Sequence, residues 1–90
     1  MREWYSERFH CLVLLTDHAL ARMKEREIMH DMVGELIESG KIRHKDKTRL
    51  WIYQSFANRD DNLICAAAVL DHKLVIKTLM HRWEFIEEIV

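Results

Sequence analysis

The chain has 90 residues, enough for one modest hydrophobic core, and we expect residues 1–90 to form a single domain. Apolar residues make up 49% and charged residues 32%, a globular balance that excludes a disordered chain. The formal net charge of −1 argues against an indiscriminate nucleic-acid binder, because such domains are usually basic overall. The charge is uneven, however, since segment 41–49 holds five Lys or Arg against one Asp.

The first predicted elements are a strand and a helix. Residues 9–15, FHCLVLL, form an apolar run that predicts a buried strand. Thr16 or Asp17 then offers a side-chain oxygen that can cap a helix. We expect this helix to end near Arg26, because the next residue, Glu27, would fall within its apolar face.

A second helix is predicted from about His30 to Ser39. Its apolar residues recur at helical spacing and form one stripe, which consists of Met32, Val33, Leu36 and Ile37. Gly40 follows at the place where a glycine in the left-handed conformation commonly ends a helix.

The second half of the chain has the two-residue period of strands. Strands are predicted at 49–56, at 62–70 and at 73–80, where Lys77 interrupts the last apolar run. An NRDD turn separates the first two strands, and a short closing helix at 82–90 is expected to bury Trp83. The predicted fold class is therefore α+β, with two N-terminal helices packed on an antiparallel sheet of about four strands.

Location and redox state are predicted from apolar runs and cysteines. No secretory pattern opens the chain, and the run CLVLL is too short to span a bilayer, so we expect a cytoplasmic protein that does not bind membranes. Cys11 and Cys65 both lie in apolar runs and are expected to be buried, reduced thiols.

Residues 16–42, TDHALARMKEREIMHDMVGELIESGKI, resemble the start of the bacterial domain of unknown function 4258 family. The shared features are the pair His18-Ala19, an arginine at each of two further four-residue steps, then an isoleucine and a later glycine. LVIKTLMHRW near the end resembles the last strand of the family. The sequence departs from the family at Glu27, where members usually have glycine, and at Met29, where a capping serine is frequent.

This resemblance implies a fold and an activity. The family is grouped with the RelE-like and barnase-like ribonuclease fold, which includes toxins of bacterial toxin–antitoxin pairs. The resemblance therefore implies metal-independent RNA cleavage and a small antitoxin-like protein partner. We also expect a homodimer as one possible assembly.

Candidate catalytic and binding residues follow from the chemistry that RNA cleavage needs. His18 is the candidate acid or base, since the pKa of histidine lies near neutrality. Arginine donates two hydrogen bonds to phosphate, and the candidate phosphate ligands are Arg22 and Arg26. Lys77 and His81 are candidates for the opposite wall of the same site. The expected contacts to the rest of the RNA backbone are Lys45, Lys47 and Arg49.

Alternative interpretations of these candidate residues are also consistent with the sequence. The stripe of His18, Arg22 and Arg26 can equally be a solvated helix flank in which Glu25 pairs with an arginine. We expect neither a metal nor another cofactor, because the histidines and cysteines are scattered and lack zinc-site spacing. The competing function is a non-catalytic protein-interaction domain. Aromatic interface anchors would support it, and the candidates are Trp4, Tyr5, Trp51, Tyr53 and Trp83.

Overall fold

A computed structural model describes residues 2–56 and 63–81, with the side chains of residues 63 and 81 outside the description. Within these ranges the chain forms two helices and six strands. In chain order the elements are β1 (Glu3–Ser6), β2 (Cys11–Leu15), α1 (Asp17–Glu25), α2 (His30–Ser39), β3 (Lys41–His44), β4 (Arg49–Ser55), β5 (Leu63–Leu70) and β6 (Leu74–His81). The turn expected at 58–61 and the closing helix expected at 82–90 lie outside the described residues.

All the strands belong to one mixed sheet with the order β1-β2-β6-β5-β4-β3. The three strands β4, β5 and β6 form the expected antiparallel meander. The predicted fold class, two N-terminal helices on an antiparallel sheet of about four strands, is nevertheless wrong. The sheet has six strands, two of them precede the helices, and β2 pairs with β6 in parallel.

The error has a physical cause in the two edge strands. β1 and β3 are only four residues long, and two residues of β1 and three of β3 are exposed. Strand patterns are recognised by a buried apolar set, which an exposed edge strand lacks. β3 in particular consists of KIRH, so its charge hides its strand character in the sequence.

Both helices pack on the same face of the sheet. The buried side chains of α1 and α2 join one cluster with alternate residues of β2, β4, β5 and β6. The main strand members of this core are Val13, Leu15, Leu50, Ile52, Ile64, Ala66, Leu74, Ile76 and Leu79. The alternating residues between them therefore face away from the helices.

The helix ends are built largely as predicted. The hydroxyl oxygen of Thr16 accepts a hydrogen bond from the Ala19 amide, and Arg26 ends α1. Gly40 ends α2, but the expected left-handed conformation is wrong, since its φ is −69°. Glycine is needed there for another reason. A Cβ at Gly40 would clash with the carbonyl oxygen of Leu36 and lie 2.9 Å from Cγ2 of Ile52.

The turn between β1 and β2 is fastened to the end of α2. The guanidinium of Arg8 donates hydrogen bonds to the carbonyl oxygens of Ile37 (3.0 Å) and Gly40 (2.7 Å). The buried hydroxyl of Ser6 donates to the carboxylate of Glu38 at 2.6 Å. Because α2 has no basic residue in its last turn, Arg8 supplies the positive charge that its terminal carbonyls attract.

α1 lies along an edge of β6 that β2 leaves without a partner. β2 pairs with β6 only from Val13 to Leu15, so within residues 2–56 and 63–81 no strand pairs with the later part of β6 on that side. The hydroxyl of Thr16 donates to the carbonyl oxygen of Lys77 at 3.0 Å. Arg26 Nη1 donates to the carbonyl oxygen of Leu79 at 2.7 Å. These two side chains satisfy carbonyl groups that a neighbouring strand would otherwise bind.

The two glycines give a stability test with opposite expected signs. At Gly34, within α2, an added Cβ meets no atom within 4 Å. Gly34→Ala should therefore stabilise the fold by roughly 0.5–1 kcal/mol, because alanine lowers the backbone entropy of the unfolded chain. Gly40→Ala should destabilise it by about 1–3 kcal/mol because the Cβ must displace packed atoms. Urea unfolding of both variants measures the two changes. Stabilisation by Gly40→Ala would contradict the packing described at the end of α2.

Candidate nucleic-acid interface

The sheet surface that faces away from the helices is called the second face below. It consists of the strand residues that alternate with the core, mainly Leu12, Leu14, Trp51, Tyr53, Cys65, Ala67, Val69, Val75, Thr78 and Met80. On β3, Arg43 lies opposite Trp51 and Lys41 opposite Tyr53, so both cations share this face. The second face therefore combines an apolar centre with a cationic edge.

A concavity of about 260 Å³ lies on the second face. It is lined by Lys45, Arg49, Leu50, Trp51, Ala67, Ala68, Val69 and Lys77. Three cations from two distant segments of the chain thus line one cavity together with Trp51, and we call this the basic concavity. The small side chain of Ala67 leaves room between Trp51 and Lys77.

The position of Arg49 is set by the tight loop that connects β3 to β4. The carboxylate of Asp46 accepts hydrogen bonds from the amides of Thr48 (3.1 Å) and Arg49 (2.8 Å) and from Nε of Arg49 (2.7 Å). The loop is also tied to β5, because the Leu70 amide donates to the Thr48 carbonyl at 2.7 Å. Arg49 is therefore held in a fixed orientation, with part of its charge balanced by Asp46.

The same loop presents Lys45 to the ring of Trp51. The Lys45 amide donates to the Arg49 carbonyl oxygen at 2.8 Å, which fixes the backbone. Nζ of Lys45 lies 5.8 Å from the centroid of the Trp51 ring, within the range of a cation–π interaction. The lysine charge thus stays beside an aromatic surface and is exposed to solvent.

Lys77 reaches the basic concavity because of an irregularity in β6. Ala67 pairs with Thr78 and Ala68 pairs with Ile76, so Lys77 is the extra residue of a β-bulge. Bulges redirect side chains and increase local twist. The bulge explains the charge that interrupts the apolar run of β6, and its exposed lysine lines the concavity.

The predicted stripe on α1 lies apart from the basic concavity, whose lining includes no residue of α1. His18 is exposed in the first turn of the helix. Arg22 forms an ion pair with Glu25, the partner expected for a solvated helix flank. Arg26 is half-buried and donates to the Leu79 carbonyl, so it also holds α1 on β6.

The remaining predicted residues are distributed as follows. Lys45 and Arg49 line the basic concavity together with Lys77, whereas Lys47 is exposed in the loop outside that lining. His81 is the last residue of β6 by its backbone, and its side chain lies outside the described residues. Sequence reasoning missed Asp46 as the group that orients Arg49. The signal was its position between two basic residues in a segment that needed a turn.

The described ranges contain no cluster of possible metal ligands, and their buried cysteine is unreactive. Within residues 2–56 and 63–81, no three His, Cys, Asp or Glu residues are grouped so that they could hold a metal ion. Both cysteines are free; Cys65 is buried, as expected, whereas Cys11 is only half-buried. Burial raises the pKa of the Cys65 thiol to about 12, which keeps it protonated and unreactive at neutral pH.

The Asp46 loop should loosen in acid. Hydrogen bonds from the Arg49 backbone, the Arg49 side chain and the Thr48 backbone lower the pKa of Asp46 from its ordinary 3.8 to about 2. A lowered pKa means that the ionised carboxylate favours the folded loop, so this stabilisation is complete above pH 3.8 and is lost as the pH falls through about 2. The protection of the Thr48 and Arg49 amides against exchange, taken relative to an unstructured peptide at the same pH, should fall across that interval. Asp46→Asn should abolish this pH dependence, and its persistence in the variant would contradict the assignment.

Comparison with known proteins gives one match. Neither helix of the described chain is long and apolar enough to cross a membrane. No curated protein and no solved structure matches the chain. The model of a family described as a domain of unknown function (DUF4258) matches residues 15–81, which include both helices and β3 to β6, while β1 and most of β2 precede the match. This match confirms the resemblance noted in the sequence: the chain belongs to the DUF4258 family.

Proposed function

We propose that this protein is a small toxin-type ribonuclease-like domain that binds RNA on the second face of its sheet. The observation that carries the proposal is the convergence of Lys45, Arg49 and Lys77 around Trp51 in one concavity. Cations bind phosphate oxygens, and an aromatic ring beside them stacks on bases. The combination suits RNA better than a small apolar ligand, since three of the eight lining residues are cationic.

Cleavage, in this proposal, takes place at the start of α1, beside the part of β6 from which Lys77 extends into the basic concavity. Among the described strands, none pairs with the part of β6 beyond Ile76 on the β2 side. An RNA strand that leaves the concavity over Lys77 therefore reaches the beginning of α1, which is held there by Thr16. His18 is exposed two residues later and serves as the acid or base.

In this proposal the phosphate groups of the RNA are bound by the cations of the concavity and not by Arg22 and Arg26. Arg22 is paired with Glu25, and Arg26 is bonded to the Leu79 carbonyl. Lys77 instead extends from a bulge into the concavity, where its ammonium group can approach a phosphate. Among the cations of the concavity, Lys77 is the one whose backbone contacts the start of α1, and in this proposal its charge stabilises the additional negative charge of the transition state.

A second candidate function is a non-catalytic protein-interaction domain. It is favoured by one observation at the other end of the second face, where Tyr5 and Leu12 lie directly opposite each other on β1 and β2. Their exposed fractions are 53% and 38%, large for apolar side chains on one surface. Exposed aromatic residues of this kind are typical anchors of a protein partner, including one of the antitoxin type.

RNA binding is tested with Lys77→Ala and Lys45→Ala. Each substitution should weaken the binding of a labelled RNA at low salt and reduce the slope of log K against log salt by about 0.7, because one phosphate contact is lost. Fluorescence anisotropy at several salt concentrations measures both effects. Lys24→Ala, which removes an exposed cation on α1, is the matched control and should bind as the wild type does. Equal losses in all three variants would contradict a local site.

Cleavage is tested separately with His18→Ala. Induction of the wild-type chain in a bacterium should arrest growth and degrade RNA, and the purified chain should cleave RNA without added metal. His18→Ala should lower the cleavage rate by about 10²–10⁴-fold while RNA binding is retained. His72→Ala, an exposed histidine in the turn between β5 and β6, should cleave normally. Intact RNA with the wild-type chain would contradict the ribonuclease proposal and favour the protein-interaction function.

A further inference from the structure

We propose that β3 and β4 form a second RNA subsite, in which Lys41 with Tyr53 and Arg43 with Trp51 each hold one nucleotide of an unpaired strand. This inference rests on the proposed function and specifies the class of RNA that is bound. Below, the two pairs are called the nucleotide ladder.

The register of the two strands creates the nucleotide ladder. Lys41 lies opposite Tyr53 and Arg43 lies opposite Trp51 in the antiparallel pairing. Directly opposite residues project on the same face, with Cβ atoms about 5 Å apart. Each cation thus has an aromatic ring as its neighbour on the second face.

The spacing along the strands fits successive nucleotides. Lys41 and Arg43 are two residues apart, which in a strand is a distance of about 6.7 Å. This is close to the separation of neighbouring phosphates in an extended nucleic-acid strand. Tyr53 and Trp51 repeat at the same interval on β4, so a strand with its backbone along β3 would place successive bases over successive rings.

The nucleotide ladder continues into the basic concavity. Trp51 belongs to both, because it lies opposite Arg43 and also lines the concavity. Lys41 and Arg43 are exposed, and no ion pair involves them among the residues that the structure describes. By contrast, Arg49 in the concavity is partly balanced by Asp46. The edge strand therefore offers cationic charge that no described carboxylate offsets.

The aromatic half of the ladder selects unpaired RNA. Trp51 and Tyr53 are half-buried in a sheet, so a base can reach their rings only if it is not stacked within a duplex. A duplex could contact the cations through its phosphates but would gain nothing from the rings. The substrate class that fits the ladder is single-stranded RNA.

The experiment compares a labelled unpaired RNA oligonucleotide with a duplex of the same length and sequence, by anisotropy at fixed salt. The wild-type chain should prefer the unpaired strand. Tyr53→Leu, which keeps an apolar strand residue, should weaken unpaired binding roughly 5- to 100-fold and leave duplex binding nearly unchanged. Arg43→Gln should weaken binding of both forms. Lys24→Gln removes an exposed cation of α1, outside the ladder and the basic concavity, and is the matched control, with near wild-type binding expected.

The outcomes separate this inference from the proposed function. Circular dichroism and urea unfolding first show that each variant is folded. If Lys77→Ala weakens RNA binding but unpaired RNA and duplex bind equally, or Tyr53→Leu has no effect, the nucleotide ladder is wrong while the RNA-binding function stands. If the wild-type chain binds neither RNA, both proposals are wrong. A preference for the unpaired strand that Tyr53→Leu removes establishes the ladder.

Discussion

The parallel pairing of β2 with β6 is the constraint on which the rest of the structure depends. Parallel neighbours cannot be joined by a tight turn, so the chain between them forms a long crossover that starts with the two helices. Both helices cover one face, and neither of them packs on the second face. Because β2 ends at Leu15, Thr16 and Arg26 bind the carbonyls of the unpartnered edge of β6. The bulge at Lys77 lies at this same junction.

The helices and the interior strands were predictable from the sequence, whereas the edge strand β3 and the pairing of β2 with β6 were not. Apolar spacing predicted both helices within a residue or two, and the meander β4–β6 follows from its strand patterns. β3 was missed because an edge strand of charged residues lacks the apolar alternation that marks a strand. The residues that alternate in β3 are basic, Lys41 and Arg43, and the alternation continues beyond the strand at Lys45. The parallel partner of β2 has no local signal, since pairing over sixty residues depends on the whole fold.

In the candidate site, too, some features could be predicted from the sequence and others could not. Residue types pointed to Lys45, Arg49 and Lys77 from two separate segments, and the structure brings these three together. Helical spacing predicted His18, Arg22 and Arg26 on one flank of α1, yet spacing gives no information about what lies opposite that flank. Arg26 illustrates the limit, because its bond to the Leu79 carbonyl depends on where β2 ends. A bulge that redirects one lysine is likewise a property of two paired strands and not of either sequence alone.

The measurement that tests the central claim most directly is the change in backbone amide resonances of the isotope-labelled protein on titration with a short unpaired RNA. RNA on the second face should shift amides of β3, β4, the middle of β5 and the bulge around Lys77, with a smaller set at the start of α1. Amides of α2 and of the turn fastened by Arg8 should stay unchanged. Shifts confined to the helices, with the strands unaffected, would contradict the placement of RNA on the second face.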